Sequence, residues 1–188
     1  MATRSFVRFL FTFIAALLLA GPTHGGQGGT TGDGLQGFER SIQHYMTVHH
    51  AVERQLPVLA VTADAGAIDL AVTMRAAGIR LARATARQGD IFAPDTARVF
   101  RARITTALEA HDGLVADLLR PPDEDGDPPP APSVNGRFAW RTAVVTPACV
   151  LATLPSLPEE LQYRFVGRDL VLVDIEANLI VDVLADVL

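Results

Sequence analysis

Histidine and carboxylate side chains on predicted helices are the first candidates for chemistry in this sequence. His49 and His111 lie on the apolar stripes of two different helices, and Glu53 follows His49 by one helical turn. Imidazole and carboxylate groups are common metal ligands, and adjacent antiparallel helices can bring such ligands together. His49, Glu53 and His111 therefore form a candidate metal site. The simpler interpretation, which we favour, is that both histidines are hydrogen-bonded residues of the core or its boundary.

Familiar catalytic motifs do not occur in the sequence. It contains no H-E-x-x-H pattern, no glycine-rich phosphate-binding loop and no G-x-S-x-G nucleophile motif. It also lacks the paired Glu-x-x-His motifs of di-iron bundles. Cys149 is the single cysteine and lies among apolar residues, which favours a packing role over a reactive thiolate. We therefore assign no catalytic residue and no cofactor, and the absence of motifs favours a non-enzymatic role.

The connection between the second and third predicted helices holds two further candidates. Asp90, near Arg87, is an acid/base candidate for an envelope enzyme, although it more simply shapes the turn beside Gly89. Arginines flank this turn and predict a basic patch that either receives an anionic ligand or faces solvent beside an acidic linker. These arginines are Arg80, Arg83, Arg87, Arg98, Arg101 and Arg103. Further along, Asp169, Asp174 and Asp182 are predicted to form the polar edge of the C-terminal strands.

Residues 1–25 predict a secretory signal peptide. Arg4 and Arg8 precede an uncharged apolar run from Phe9 to Ala20, which Gly21 and Pro22 end. This run is shorter than the roughly 20 residues that span a membrane, so we expect cleavage, with membrane contact only before it. The expected location is periplasmic or secreted. Losing two arginines lowers the formal net charge of −5 by two, to −7, which argues against nucleic acid as a partner.

Helical patterns dominate the first half of the mature chain. Residues 26–37 are Gly-rich and predict a flexible spacer. Residues 38–120 predict an antiparallel three-helix unit, because apolar residues recur at steps of three and four. The first helix carries its apolar face from Phe38 to Leu56, the second starts after Asp64 as N-cap, and the third starts at Pro94. The second helix has two apolar stripes, which predict packing on both sides.

The second half predicts a linker and short strands. Residues 121–133 form a Pro-rich acidic linker, and residues 134–188 an extended segment followed by a β-meander. Its three predicted strands lie at Leu161–Phe165, Leu170–Asp174 and Leu179–Leu184, with turns at Gly167 and Asn178. The predicted fold class is therefore α+β, with an N-terminal antiparallel three-helix unit, a Pro-rich linker and a small C-terminal antiparallel β-meander.

Two stretches carry a resemblance to known proteins. Gln88–Phe92 and Leu154–Asp182 together resemble exported proteins of GC-rich soil bacteria, a likeness that implies export and no particular activity, ligand or site. The tail, through Tyr163, Gly167, the pattern Leu-x-Leu-x-Asp and Ile-Val-Asp, is similar to the C-terminal end of RcnB-type periplasmic proteins of nickel and cobalt homeostasis. The helical part has no counterpart there, so this resemblance implies no metal-binding residue in the chain.

These patterns together predict a binding or interaction protein. We expect a non-enzymatic protein of the cell envelope whose partner is another envelope protein or a second copy of this chain. Two alternatives stay open. One is a periplasmic metal-handling protein that uses His49, Glu53 and His111, and the other is an envelope enzyme of unknown reaction.

Overall fold

A computed structural model gives the fold of the protein and describes residues 31–111 and 131–188. The helices are α1 (Thr31–Glu53), α2 (Ala65–Ala82), α3 (Pro94–Glu109) and the short α4 (Ala148–Leu151); the strands are β1 (Ala143–Val145), β2 (Leu161–Val166), β3 (Asp169–Asp174) and β4 (Leu179–Leu184). The strands form one antiparallel sheet in the order β1-β2-β3-β4. The predicted α+β fold with a C-terminal β-meander is confirmed, and β1 adds a strand from the segment predicted only as extended.

The start of α1 differs from the predicted flexible spacer. The helix begins at Thr31, inside the Gly-rich segment 26–37. Its first turns pack on α3, where Thr96 Oγ1 donates a hydrogen bond to Gly34 O at 2.9 Å. A Cβ atom on Gly34 would lie 3.0 Å from Asp95 O, so the missing side chain permits this close approach. The tertiary contact offsets the low helix propensity of the glycines.

The buried face of α1 follows the sequence pattern, whereas α2 does not. Six residues predicted on the α1 face are buried: Phe38, Ile42, Tyr45, Met46, His49 and Val52. In α2, Asp64 caps the helix as predicted, with Oδ1 accepting from Gly66 N at 2.8 Å. Ala76 and Ile79 are buried, but Leu70 is 60% exposed. The prediction that α2 packs on both sides is therefore wrong, because its second apolar stripe faces solvent.

The connection between α2 and α3 is longer than predicted. Pro94 occupies the first turn of α3, as expected, but α2 already ends at Ala82. The predicted tight turn at 89–92 is thus the last part of an eleven-residue loop, 83–93, in which Gly89 has a φ of +90°. Glycine adopts this left-handed conformation without the steric cost that a Cβ atom would bring.

The sheet is buried on both faces, which explains the nearly continuous apolar sequence of β3 and β4. One face packs on the helices through Leu170, Leu172, Leu179, Val181 and Leu184. The other face carries Val171, Val173, Ile180 and Val183. These residues pack on Phe138, which lies in the segment before β1. Helices and sheet share the first of these clusters, so the meander docks on its own chain's helices.

Arginines of the predicted basic patch fasten the helices to the C-terminal half. Arg80 Nε donates to Asn135 O at 2.8 Å, and Arg83 Nη2 donates to Val181 O at 3.0 Å. From α3, Arg101 and Arg103 donate to Ala185 O and Thr153 O at 2.7 and 2.6 Å. These guanidinium groups satisfy carbonyl oxygens that lie outside regular strand pairing. Most of the predicted patch therefore has a structural role, because its arginines hold the helices against the C-terminal half.

Several predictions lie outside the described residues. These are the signal segment 1–25, the part of the spacer before Thr31, the linker up to residue 130, and the predicted end of the third helix at Val115 and Leu118. Within the described ranges, none of the helices has both the length and the apolar character that crossing a bilayer requires.

Candidate functional site

A buried polar cluster joins α1 to the end of β3. Asp174 Oδ2 accepts a hydrogen bond from Tyr45 Oη at 2.6 Å and lies 2.6 Å from His49 Nδ1. Asp174 Oδ1 accepts from Ala177 N at 2.8 Å. Tyr45 and His49 are four residues apart, so the helix presents both to the same partner. All three side chains are 2% exposed or less, which makes this a water-excluded cluster.

The inward position of Asp174 overturns its predicted place on a polar edge. Leu170, Leu172 and Asp174 alternate along β3 and therefore point to the same face of the sheet. That face packs on the helices, where the first two enter the core. The alternation of residues along the strand was visible in the sequence, but the acceptor role of Asp174 was not, because its two side-chain partners lie 125 or more residues earlier.

The cluster shifts the pKa of its carboxyl group in one direction and the pKa values of His49 and Tyr45 in the other. Burial alone would raise the pKa of Asp174, but hydrogen bonds from His49, Tyr45 and the Ala177 amide lower it below its ordinary value. Burial would likewise lower the pKa of His49, but the bond to Asp174 and the negative charges of Asp174 and Glu176 raise it. Burial, with the adjacent Asp174 charge, raises the pKa of Tyr45, which stays a neutral donor. The arrangement thus favours a carboxylate bound by an imidazolium and a phenol.

A series of charged side chains extends from buried His49 to the protein surface. His49 Nε2 lies 3.4 Å from Glu176 Oε2, although the pair does not have hydrogen-bond geometry and Nε2 has no hydrogen-bond partner among the described residues. Arg75 connects Glu176 to Glu53: its Nη1 lies 3.2 Å from Glu176 Oε2, and its Nη2 lies 3.5 Å from Glu53 Oε1. The charge of half-exposed Glu176 therefore acts on buried His49, and Arg75 links Glu176 to Glu53.

The residues of the candidate metal site lie in three different settings. His49 directs Nδ1 to Asp174, Glu53 pairs with Arg75, and His111 is exposed with Nδ1 2.9 Å from Ala107 O of its own helix. In residues 31–111 and 131–188, no group of three or more His, Cys, Asp or Glu side chains is placed to hold a metal ion. The structure does not bring the three proposed ligands together as such a group.

Asp182 forms a second buried junction, which the sequence also placed on the polar edge. Its carboxylate accepts backbone hydrogen bonds from Gly89 at 2.9 Å and from Ile91 and Phe92 at 2.8 Å. The register of β3 and β4 shifts beside it, since Leu172 pairs with Asp182 while Val173 pairs with Ile180. This β-bulge inserts Val181 and turns Asp182 towards the loop. The predicted edge position is therefore wrong, and Asp182 anchors the 83–93 loop.

Asp90 shapes the turn in which it lies. Its Oδ2 accepts a hydrogen bond from Arg87 N at 2.8 Å, which is the simpler of the two interpretations made from sequence. The side chain is exposed, and it also lines a cavity.

Cys149, in α4, is a free thiol that packs half-buried against the main core.

Two surface openings of this fold differ in the side chains that line them. The polar cavity, of about 540 Å³, lies between α1 and the 83–93 loop and is lined by Arg40, Ser41, His44, Tyr45, Arg83 and Asp90, among others. The apolar groove, of about 620 Å³, lies between residues 56–59 and α2 and is lined by Leu56, Val58, Leu59, Ile68, Leu70 and Met74, with Glu53, Arg75 and Glu176 at its charged end. The two share no lining residue.

Fold and openings together define an α+β protein with ligand-sized surface sites. Comparisons with known proteins place it no further: no family model, curated protein or solved structure matches the chain.

Proposed function

We propose that this chain is an exported, non-enzymatic binding protein of the cell envelope whose apolar groove holds a short peptide segment of a partner protein. The segment carries several aliphatic or aromatic side chains and a basic residue at one end. One observation carries the proposal: large apolar side chains surround the groove and remain in contact with solvent. Exposed apolar patches of this kind mark interaction sites, because covering them is favourable.

The exposure of the groove supports a protein partner over a small ligand. Val58 is 95% exposed and Leu59 46%, on the connection from α1 to α2, while Leu70 is 60% and Met74 38% exposed on α2. Val61 is fully exposed on the same connection but does not line the groove. A small molecule inside the groove would leave Val61 in water, whereas a peptide crossing it can cover both surfaces.

The charged end of the groove supports a basic residue in the bound segment. Glu53 and Glu176 are 47% and 40% exposed, and the guanidinium group of Arg75 contacts both. Among the described lining residues, two carboxylates face one arginine. Buried His49 also lies beside Glu176, but it is paired with the Asp174 carboxylate, so an excess of one negative charge is left at the end of an apolar surface. Complementary charge raises both the rate and the specificity of association.

Peptide selection tests the proposal directly. Purified mature protein, residues 26–188, is screened against a random dodecapeptide phage library, and enriched peptides are titrated by fluorescence anisotropy. We expect enriched peptides to combine apolar residues with Lys or Arg. The double variant Leu70→Ser/Met74→Ser should weaken binding by about tenfold or more, because each side chain contributes on the order of 1–2 kcal/mol of apolar burial.

Leu81→Ser is the matched control. Leu81 is 81% exposed on the same helix but does not line the groove, so its loss should leave affinity unchanged. Glu53→Gln should weaken basic peptides selectively. The proposal fails if no peptide is enriched, or if the Leu70/Met74 variant binds as well as the parent. It also fails if light scattering finds a dimer that the same variant abolishes, since the groove would then bind a second copy.

Export has its own test. When the full chain is expressed in a Gram-negative host, the protein should appear in the periplasmic or culture fraction with its N-terminus after residue 20. Intact-mass measurement gives the cleavage position. An uncleaved chain in the cytoplasmic fraction would contradict the export part of the proposal without affecting the peptide assay.

A further inference from the structure

We infer that the polar cavity is a binding site for a small oxyanion, a phosphate or multivalent carboxylate, held by Arg40, His44 and Arg83. This site is separate from the apolar groove and does not depend on the function proposed for it. The cavity volume of about 540 Å³ lies in the range of small-ligand sites, roughly 300–1,000 Å³.

The cavity concentrates positive charge in an acidic protein. Its described lining contains two guanidinium groups, from Arg40 and Arg83, and one carboxylate, from Asp90, so its net charge is +1 before His44 is counted. The whole chain has a formal net charge of −5. A concave surface of the opposite sign to the rest of the protein focuses the field on an incoming anion.

Two of the proposed anion ligands come from the same face of α1. Arg40 and His44 are four residues apart, so their side chains project side by side towards the cavity. Arg40 Nε donates to Gln36 O at 3.3 Å, which steadies the side chain. Like charges at this spacing repel each other by a few tenths of a kcal/mol when both are ionised, and an anion placed between them removes that cost.

Arg83, at the C-terminal end of α2, lines the same cavity and is held in place. Its Nη1 donates to Asn135 Oδ1 at 3.2 Å, its Nη2 donates to Val181 O, and its Cζ lies 5.0 Å from the Tyr45 ring centroid. Burial lowers the pKa of Arg83, which records the cost of holding this charge away from water. A guanidinium fixed before binding loses little conformational freedom when an anion arrives.

Asp90 does not cancel this charge. One of its oxygens already accepts the Arg87 amide, and Ser41 Oγ lies 3.5 Å from the backbone oxygen of Asp90. The carboxylate keeps its negative charge, which the net charge of +1 already includes, so one guanidinium charge of the described lining is left uncompensated. Thr85 also lines the cavity, and its hydroxyl group is a neutral donor.

Calorimetric titration with inorganic pyrophosphate and, separately, with citrate tests the site. We expect saturable binding of at least one probe. The variant Arg40→Gln/His44→Gln should weaken it by about tenfold or more, the usual effect of losing charge-assisted hydrogen bonds. Arg141→Gln is the control, because Arg141 is exposed in the turn before β1 and does not line the cavity. Thermal unfolding followed by circular dichroism checks that the variants fold.

Proton NMR gives a second readout at the site itself. The Cε1 proton of His44, assigned by its absence in His44→Gln, should move on adding the probe that binds, while that of exposed His111 stays in place. To separate sources of phosphate, sedimentation with phosphatidylglycerol vesicles reports a lipid headgroup, and binding of pyrophosphate alone reports a soluble ligand. The inference is overturned if neither probe binds, or if Arg141→Gln weakens binding as much as the cavity variant.

Discussion

Replacing Asp174 by Asn probes the buried cluster with the smallest change of shape. The carboxylate accepts from Tyr45 and His49 at Oδ2 and from Ala177 N at Oδ1. An amide has one oxygen, so either the two side chains or the backbone amide must face an NH2 group that cannot accept. The variant therefore leaves at least one buried donor without an acceptor and removes the negative charge beside His49.

The expected loss is large because the site excludes water. Hydrogen bonds to a charged group contribute about 1.5–3 kcal/mol each, and breaking a buried ion pair on one side costs about 3–5 kcal/mol. For Asp174→Asn we expect the free energy of unfolding to fall by about 3–5 kcal/mol at pH 6. The assay is urea unfolding followed by far-ultraviolet circular dichroism, with an unchanged m-value as the check that the fold is retained.

Asp169→Asn is the matched control on the same strand. Asp169 lies at the other end of β3 and accepts one hydrogen bond, from Asp186 N at 2.9 Å, in an exposed setting. We expect this control to lose less than about 1 kcal/mol. If Asp174→Asn costs no more than the control, Asp174 is not the shared acceptor of the cluster and the reasoning is refuted.

Three further predictions concern pH, helix packing and helix propensity. The lowered pKa of Asp174 gives stability that is full above about pH 4 and lost as pH falls through that pKa, while the raised pKa of His49 gives stability that is full below about pH 6.5 and lost as pH rises. In urea midpoints measured from pH 5 to 9, the alkaline loss should flatten in His49→Gln; an unchanged slope would contradict it. Gly78→Ala should cost about 1–3 kcal/mol, because its Cβ atom would lie 2.5 Å from Val52 Cγ1. Gly37→Ala, with nothing within 4 Å, should instead stabilise α1 by about 1 kcal/mol, as thermal unfolding would measure.

Local patterns in the sequence were enough to predict much of the fold. The apolar face of α1, the Asp64 cap, Pro94 at the start of α3 and the three strands of the meander all depend on neighbours within a few residues. The strand β1 was missed because it has only three residues, Ala143–Val145, and lies in a segment interrupted by proline. Its pairing with β2 is a tertiary contact that no short window contains.

The candidate sites were less accessible to prediction. His49 was singled out for its place on a buried helical face, which is correct, but the structure pairs it with Asp174 rather than grouping it with Glu53 and His111. Arg83 was noted as part of a basic patch, whereas its place in one cavity with Arg40 and His44 depends on how the end of α2 and the 83–93 loop pack against α1.

The sequence by itself determined which faces of the helices and strands are apolar, because side-chain periodicity and backbone geometry are local properties. Only the tertiary structure decided the roles of Asp174 and Asp182. The same residue type in a strand is a solvated edge or a buried anchor, depending on which donors face it. For Asp174 those donors come from α1, and for Asp182 from the 83–93 loop, across 90 or more residues of chain. A buried carboxylate is stable only where such donors converge, and their convergence is a property of the packed fold.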